Sequence, residues 1–321
     1  MKKLFTSSAV SLLLVFAITS CAPEVKTPET AEMLAMLPVE AEGVFFVNVK
    51  EAMSIRSMDE VIEKDENYQE YLDFIQATGI DPQKDIYYIA AALLPGDEET
   101  KMKGAGIVNL TYDPDSLMAL IKAKSEEEDT PIREVEYGGY TIHFMESEEE
   151  NESGAFSFLD GSHIVAGSET GVKSVIDVVN HEKDNIYKNQ QLNELMTKTA
   201  KDTMFWGTVI VPSEAAEAAA TQNPMLQTLS SVQAVTLNFD YKDSNISIVI
   251  KMISPDSEKN TQIAESLTGI KSFGRMAAQE NPEIGELLDK INIRSDQELV
   301  EVSAVIPEEL INRLRDKADQ E

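Results

Sequence analysis

Read for its hydrophobic and polar positions, the chain opens on Lys2 and Lys3. A run from Leu4 to Ile18 follows, broken only by Thr6, Ser7, Ser8 and Ser11. A positive start, about 15 mostly apolar positions and small residues after them make an export signal, short of the roughly 20 residues that span a bilayer. Residues 21–36, with Pro23, Pro28 and small polar side chains, read as a tether. The fold is expected from residue 37, with Val44-Phe45-Phe46-Val47-Asn48-Val49 as a strand. Tyr68, Tyr71, Leu72 and Ile75 have the i, i+3, i+4, i+7 spacing of a helix that Gly79 and Pro82 stop. Strands over Asp85–Leu94 and Gly106–Tyr112 flank an acidic loop, Gly96-Asp97-Glu98-Glu99, and the next helix starts with Asp113 as N-cap, Pro114 first and Leu117, Leu120 and Ile121 on one face.

Two hairpins come next. Gly138-Gly139 joins Ile132–Tyr137 to Tyr140–Met145, and Asp160-Gly161 joins Ala155–Leu159 to His163–Ala166. Helices over 170–179 and 191–200, a strand Phe205–Val211 and a helix Ser213–Ser230 follow. Strands Ala234–Tyr241 and Ser247–Ile253, a helical region from Asp256 to about Leu288, a strand Leu299–Val305 and a helix from Pro307 complete the pattern. Hairpins dominate, so the fold class is α+β, largely antiparallel sheets with helices packed on them. Ile107-Val108 followed by Asp113-Pro114-Asp115-Ser116 recurs, 141 residues on, as Ile248-Val249 followed by Ser254-Pro255-Asp256-Ser257, and Ile132-Arg133 is echoed by Ile293-Arg294. This predicts a tandem duplication of strand-helix-strand-strand-helix-strand units over residues 37–190 and 200–321, the first enlarged by an extra hairpin and helix.

The leader ends in Ile18-Thr19-Ser20-Cys21, which resembles the lipobox of bacterial lipoproteins. That resemblance implies removal of residues 1–20, acylation of Cys21 with palmitate among its acyl chains, and a membrane-anchored, exported protein. In a Gram-negative host, Ala22 after the acylated cysteine implies the periplasmic face of the outer membrane. Acyl chains anchor through about 0.8 kcal/mol per buried methylene, so two or three hold without a transmembrane helix.

Composition narrows the function. The chain carries 57 Asp and Glu against 27 Lys and Arg, a formal charge of −30, and loss of the leader removes two lysines and no acid. Such a field repels nucleic acid and anionic membrane surfaces, which argues against a polyanion-binding role. A hydrophobic content of 42% still supports a core. Cys21 is the single cysteine, so its acylation leaves no thiol for a disulfide, thiolate catalysis or a cysteine metal site.

Pro38 with Val44-Phe45-Phe46-Val47, Thr78-Gly79-Ile80-Asp81-Pro82 leading into Asp85-Ile86, and Ser157-Phe158-Leu159-Asp160 before Val165-Ala166-Gly167-Ser168 together resemble an uncharacterised family of exported bacterial proteins. The resemblance implies a shared fold and names no catalytic group.

Candidate chemistry is thin. Gly167-Ser168-Glu169-Thr170-Gly171-Val172-Lys173-Ser174 looks like a phosphate loop, but three residues separate its glycines, Val172 precedes the lysine, and Glu169 would repel phosphate, so it reads as the start of a helix. Gly104-Ala105-Gly106 lacks the third glycine of a dinucleotide fingerprint. His143, His163 and His181 have no i, i+4 histidine partner, and alternation with Ile142 and Phe144 puts His143 on a solvated face. The acidic stretches Glu126–Asp129 and Glu146–Glu152 lack the register of a calcium loop and read as solvated loops. Trp206 reads as core, and no Gly-x-Ser-x-Gly elbow is present. The expectation is an anchored, non-catalytic binding or scaffolding module without a cofactor, meeting the membrane through lipid on Cys21 and an envelope protein partner, with its oligomeric state open. The alternatives are a carrier of lipid or another hydrophobic ligand in a cleft between repeats, and an envelope hydrolase whose site is assembled from distant residues.

Overall fold

The structure is a computed structural model that describes residues 28–55, 62–63, 65, 67–96, 103–145, 154–213, 229–278 and 281–318. The leader with Cys21, the acidic residues 97–99 and 146–152, and most of the helix expected over 213–230 lie outside the described residues. The chain divides into two compact units, one ending at Asn193 and the other beginning at Glu194. Both combine helices with antiparallel sheet.

The first unit begins earlier than its sequence suggests. Where a tether to residue 36 is expected, Pro28–Leu34 forms helix α1, and Met33, Leu34 and Leu37 are buried. This start is tied to residues far along the chain: Val39 N donates to Asp184 O, Ile186 N to Leu37 O, and Asn189 Nδ2 to the carbonyls of Val39 and Ala41. Prolines and small polar residues mark it as a linker locally, and only these distant partners reveal its core role.

Strand β1 (Gly43–Asn48) is followed by α2 (Val49–Ala52), α3 (Tyr68–Thr78) and α4 (Pro82–Asp85). Gly79 ends α3 at φ 72°, in the left-handed conformation glycine adopts without a Cβ penalty. Leu72, expected on the inner face of α3, points outward. The sheet continues with β2 (Ile86–Leu94) and β3 (Lys103–Leu110), and α5 (Pro114–Glu127) leads to the ribbon β4 (Ile132–Tyr137), β5 (Tyr140–Met145), β6 (Gly154–Phe158) and β7 (His163–Ser168). Asp113 caps α5 as expected, accepting from Ser116 N at 2.7 Å. The order β1-β2-β3-β7-β6-β5-β4 is antiparallel throughout.

Helix α6 (Glu169–Val179) seals one face of this sheet, burying Val172, Val175, Ile176 and Val178. The hairpin tip is fastened to its far end, with Tyr137 Oη donating to Asp177 Oδ1 at 2.7 Å and Asn180 Nδ2 to Gly138 O at 2.8 Å. Gly138 and Gly139, at φ 57° and 83°, make the tight turn their sequence announces.

After α7 (Gln190–Thr197), the second unit contains β8 (Phe205–Ile210), β9 (Ala234–Lys242), β10 (Asn245–Ile253), α8 (Ser257–Ala277), α9 (Pro282–Lys290), β11 (Ile291–Ser295), β12 (Leu299–Pro307) and α10 (Glu308–Ala318). Its order is β8-β9-β10-β12-β11, again antiparallel. Strand β11 is missing from the sequence reading, because five residues following α9 without a break carry no turn signal of their own. In both units the first three strands form a meander, the last strand pairs with the third, and a helix closes the unit. Ile107-Val108 and Ile248-Val249 lie on the third strands, and Ile132-Arg133 and Ile293-Arg294 on edge strands. The caps are not equivalent, however. Asp113 caps α5, whereas Asp256, not Ser254, caps α8 by accepting from Glu258 N and Lys259 N.

Candidate functional site

The glycine-rich stretch after β7 is a packing device. An added Cβ would lie 2.1 Å from Gly104 O at Gly171 and 2.3 Å from the same oxygen at Gly167. Ser168 Oγ caps α6 by accepting from Gly171 N at 3.1 Å, and it also donates to Gly104 O. Glycines here let α6 and β7 close onto β3, and a Cβ at Gly104 itself would lie 2.5 Å from Ala92 O of β2. Lys173 pairs with Glu169 at 2.5 Å and lies over the Tyr137 ring, 5.2 Å from its centroid.

His163 gathers Ser and Asp side chains in an arrangement unlike a nucleophile relay. Asp160 Oδ2 lies 2.9 Å and Ser162 Oγ 3.2 Å from the same ring nitrogen, Nδ1, while Nε2 is held by Asn109 Nδ2 at 3.0 Å. A relay needs serine on one ring nitrogen and carboxylate on the other. Asp160 also accepts from Ser162 N and Oγ, so the group locks the hairpin turn. These bonds to Ser162 and His163 hold the Asp160 carboxyl below its ordinary range, against the opposing effect of burial. Tyr112 donates to Asp160 O and stacks on Phe158 at 5.6 Å. Burial and the nearby carboxylate push the Tyr112 phenol up to about 12.

His143 corrects the expectation of a solvated side chain, being 6% exposed. Alternation along β5 separates it from Ile142 and Phe144, but the opposite face is covered too. Phe156 stacks on the imidazole at 4.8 Å and Phe158 meets it edge-on at 5.9 Å. Glu134 Oε1 lies 3.4 Å from Nδ1, and Lys122 of α5 reaches the same carboxylate at 3.9 Å. Burial pushes the imidazole below its ordinary value, and Glu134 offsets only part of that.

The sign of the pH effect follows. As pH falls toward about 6.5 the unfolded chain takes up this proton before the folded one, so stability present above that pH is lost between it and the lower folded value. His143→Gln is expected to remove this component. In denaturant unfolding from about pH 8 to about pH 5, the parent should lose more stability than the variant. Equal losses would place the imidazole in water.

His143 stands at one end of an apolar sheet face in the first unit. Ile89, Val108, Ile164 and Phe158 form a rung of directly opposed residues across β2, β3, β7 and β6. The adjacent rung runs Phe45, Ala91, Gly106, Ala166, Phe156, His143 and Glu134. The opposite face, with Ala90, Ile107 and Val165, is sealed, whereas Ile89, Val108, Ile164 and Phe158 are only half-buried. Helix α5 shows the same incompleteness: none of its residues is buried, and Leu117, Met118, Leu120 and Ile121 are all partly exposed.

The second unit contains a row that sequence reading missed. Thr208, Thr236, Lys251, Glu301 and Arg294 oppose one another across β8, β9, β10, β12 and β11. Thr208 and Thr236 are fully buried, Glu301 is buried against Arg294 at 2.7 Å, and Lys251 Nζ donates to Lys198 O at 2.8 Å. Single polar residues on five separated strands carry no joint signal until pairing aligns them. Trp206, beside this row, is fully buried, as expected of core.

Among the described residues no three His, Cys, Asp or Glu side chains are grouped to hold a metal ion. His181, at φ 59° just beyond α6, is exposed and remote in the sequence from the other histidines. Of the acidic stretch at 126–129, Lys124 pairs with Glu127 at 3.0 Å.

Comparison with known proteins gives the fold a setting. The chain is 23% identical over 266 residues to an uncharacterized protein, MJ0635, of Methanocaldococcus jannaschii, covering 80% of this chain and 79% of that one. Among solved structures, crystal form III of TP0453 superposes with a TM-score of 0.50 at 11% identity, over 87% of this chain and 95% of that one, a likeness of fold. A family model described as "Protein of unknown function (DUF3352)" matches residues 72–269, from within α3 into α8 and over more than half of the chain, and the protein belongs to that family.

Proposed function

We propose that this protein is an exported lipoprotein, anchored through acylated Cys21, that acts as a non-catalytic binding or scaffolding module of the bacterial cell envelope. The observation that carries the binding role is the half-buried apolar face of the first unit beside α5, whose apolar side chains are likewise unsealed. Partly exposed apolar surface is retained where something else covers it. The nearby titratable groups are engaged in holding structure: His163 locks a turn and His143 lies beneath a phenylalanine. The lipobox-like Ile18-Thr19-Ser20-Cys21 supports the anchor and the export. The shared strand order of the two units supports their origin by duplication.

A second reading, a carrier of a lipid or other hydrophobic ligand, is favoured by the same face, because the rung Ile89-Val108-Ile164-Phe158 offers no hydrogen-bonding side chain. A photo-crosslinking residue in place of Leu120 of α5, activated in cells, separates the two. A protein adduct is expected of the scaffold, and an adduct of lipid mass of the carrier. Recovery of neither, with turnover of an ester, peptide or glycan abolished by His143→Ala, would overturn both in favour of a hydrolase.

A further inference from the structure

Three elements of the first unit meet at one carboxylate oxygen. Glu134 Oε1, on β4, lies 3.4 Å from His143 Nδ1 on β5 and 3.9 Å from Lys122 Nζ on α5. The three side chains differ in freedom. His143 is held by Phe156 and Phe158, and its Nδ1 makes no close hydrogen bond among the described residues. Glu134 and Lys122 are each about half exposed, so either can shift without disturbing the core. Of the other neighbours on this face, Glu136 follows Glu134 along β4, whereas Thr141 and Met145 of β5 and Phe156 and Phe158 of β6 do not ionise. Arg133 lies over the Phe144 ring, on the opposite face.

Helix α5 is the least anchored of these elements. None of its residues is buried, and it packs chiefly against α3 rather than the strands. Among the described residues, Lys122 supplies its one ion pair to the sheet. While His143 is neutral, Glu134 Oε1 serves Lys122. An imidazolium buried under two phenylalanines has little water around it and needs that carboxylate as its counter-ion. The ammonium on the same oxygen then becomes a like charge at close range. Moving α5 away relieves the conflict and lets water reach the ring, without exposing any buried side chain of the helix.

We propose that His143, Glu134 and Lys122 form an acid-sensitive latch that holds α5 beside the apolar face of the first unit, and that protonation of His143 releases the helix. As regulation of that face, the latch rests on the binding role proposed for it. Acid favours the open form because opening returns the imidazole to water, where it binds a proton more readily than in the closed form. With an ordinary value near 6.5, a fall from about pH 7.5 to about pH 5.5 raises the open population by at most about tenfold. Hydrogen exchange read by mass spectrometry measures this on the polypeptide from residue 21 onward with Cys21→Ser, which keeps every described residue. After correction for the intrinsic pH dependence of exchange, peptides within 114–127 are expected to lose about three- to tenfold of their protection over that range, while those of α6 keep theirs. His143→Gln should remove the pH dependence. Lys122→Gln should lower the protection of α5 at about pH 7.5 and flatten its response to acid. Protection of α5 that does not fall in acid, a fall that His143→Gln retains, unchanged protection in Lys122→Gln, or an equal fall in α6 would each overturn the latch. Crosslinking from Leu120 reports separately on what the face binds, so failure of the latch and failure of the binding role give different results.

Discussion

Cys21→Ala is expected to abolish incorporation of labelled palmitate and to move the protein from the membrane pellet to the soluble or precursor fraction. The effect should be all-or-none. Two or three acyl chains contribute about 0.8 kcal/mol per buried methylene, and no described helix provides a spanning substitute. Cys21 is the single cysteine, so no other thiol can take the label. Labelling and fractionation of parent and variant in the same cells decide the point. An unlabelled parent, or a variant that still carries label, would remove the anchor from the proposed function.

Trp206→Ala should be the most damaging single substitution in the second unit. The indole is fully buried on β8, opposite Asn238 of β9. Asn238 in turn holds the loop before β8 through Ala200 O and Thr203 Oγ1. Truncating a buried tryptophan to alanine costs about 3–5 kcal/mol, as lost transfer energy plus the cavity left behind. For a unit of this size that corresponds to a fall in melting temperature of roughly 10–20 °C. Trp206→Phe, which refills most of the space, should cost well under half as much. Circular dichroism melts measure both variants. Trp206 is the single tryptophan, so the parent's emission should be blue and resistant to acrylamide, losing both properties on unfolding. An alanine variant melting within about 2 °C of the parent would contradict a core role and reopen a ligand-stacking one.

Much of the fold was legible because its signals are local. Gly138-Gly139 needs positive φ wherever it sits, Asp113-Pro114 starts a helix through its own side chain and ring, and the alternation in β2 follows from one sealed face. The expectation of an export leader likewise rests on one contiguous run. Where the reading failed, the deciding partner was distant in sequence. His143 is buried because Phe156 and Phe158, on the next strand, cover the face that alternation assigns to water. Met33 and Leu34 belong to the core because residues 184–189 return to hold that segment. The repeated Pro-Asp-Ser starts two helices with different caps, since Ser254 Oγ accepts from Asp256 N and Asp256 itself caps α8.

By itself, the sequence determined the class of the fold, the order of most elements, the acidic character and the apolar run before Cys21, all written in neighbouring residues. Tertiary structure alone decided what lies beside what: the apolar rungs ending at His143 and Glu134, the polar row from Thr208 to Arg294, the glycines of β3, β7 and α6 in one close crossing, and the Glu134 oxygen between His143 and Lys122. Strand pairing and helix docking join positions tens of residues apart, and no local pattern states which side of a helix its neighbours leave uncovered.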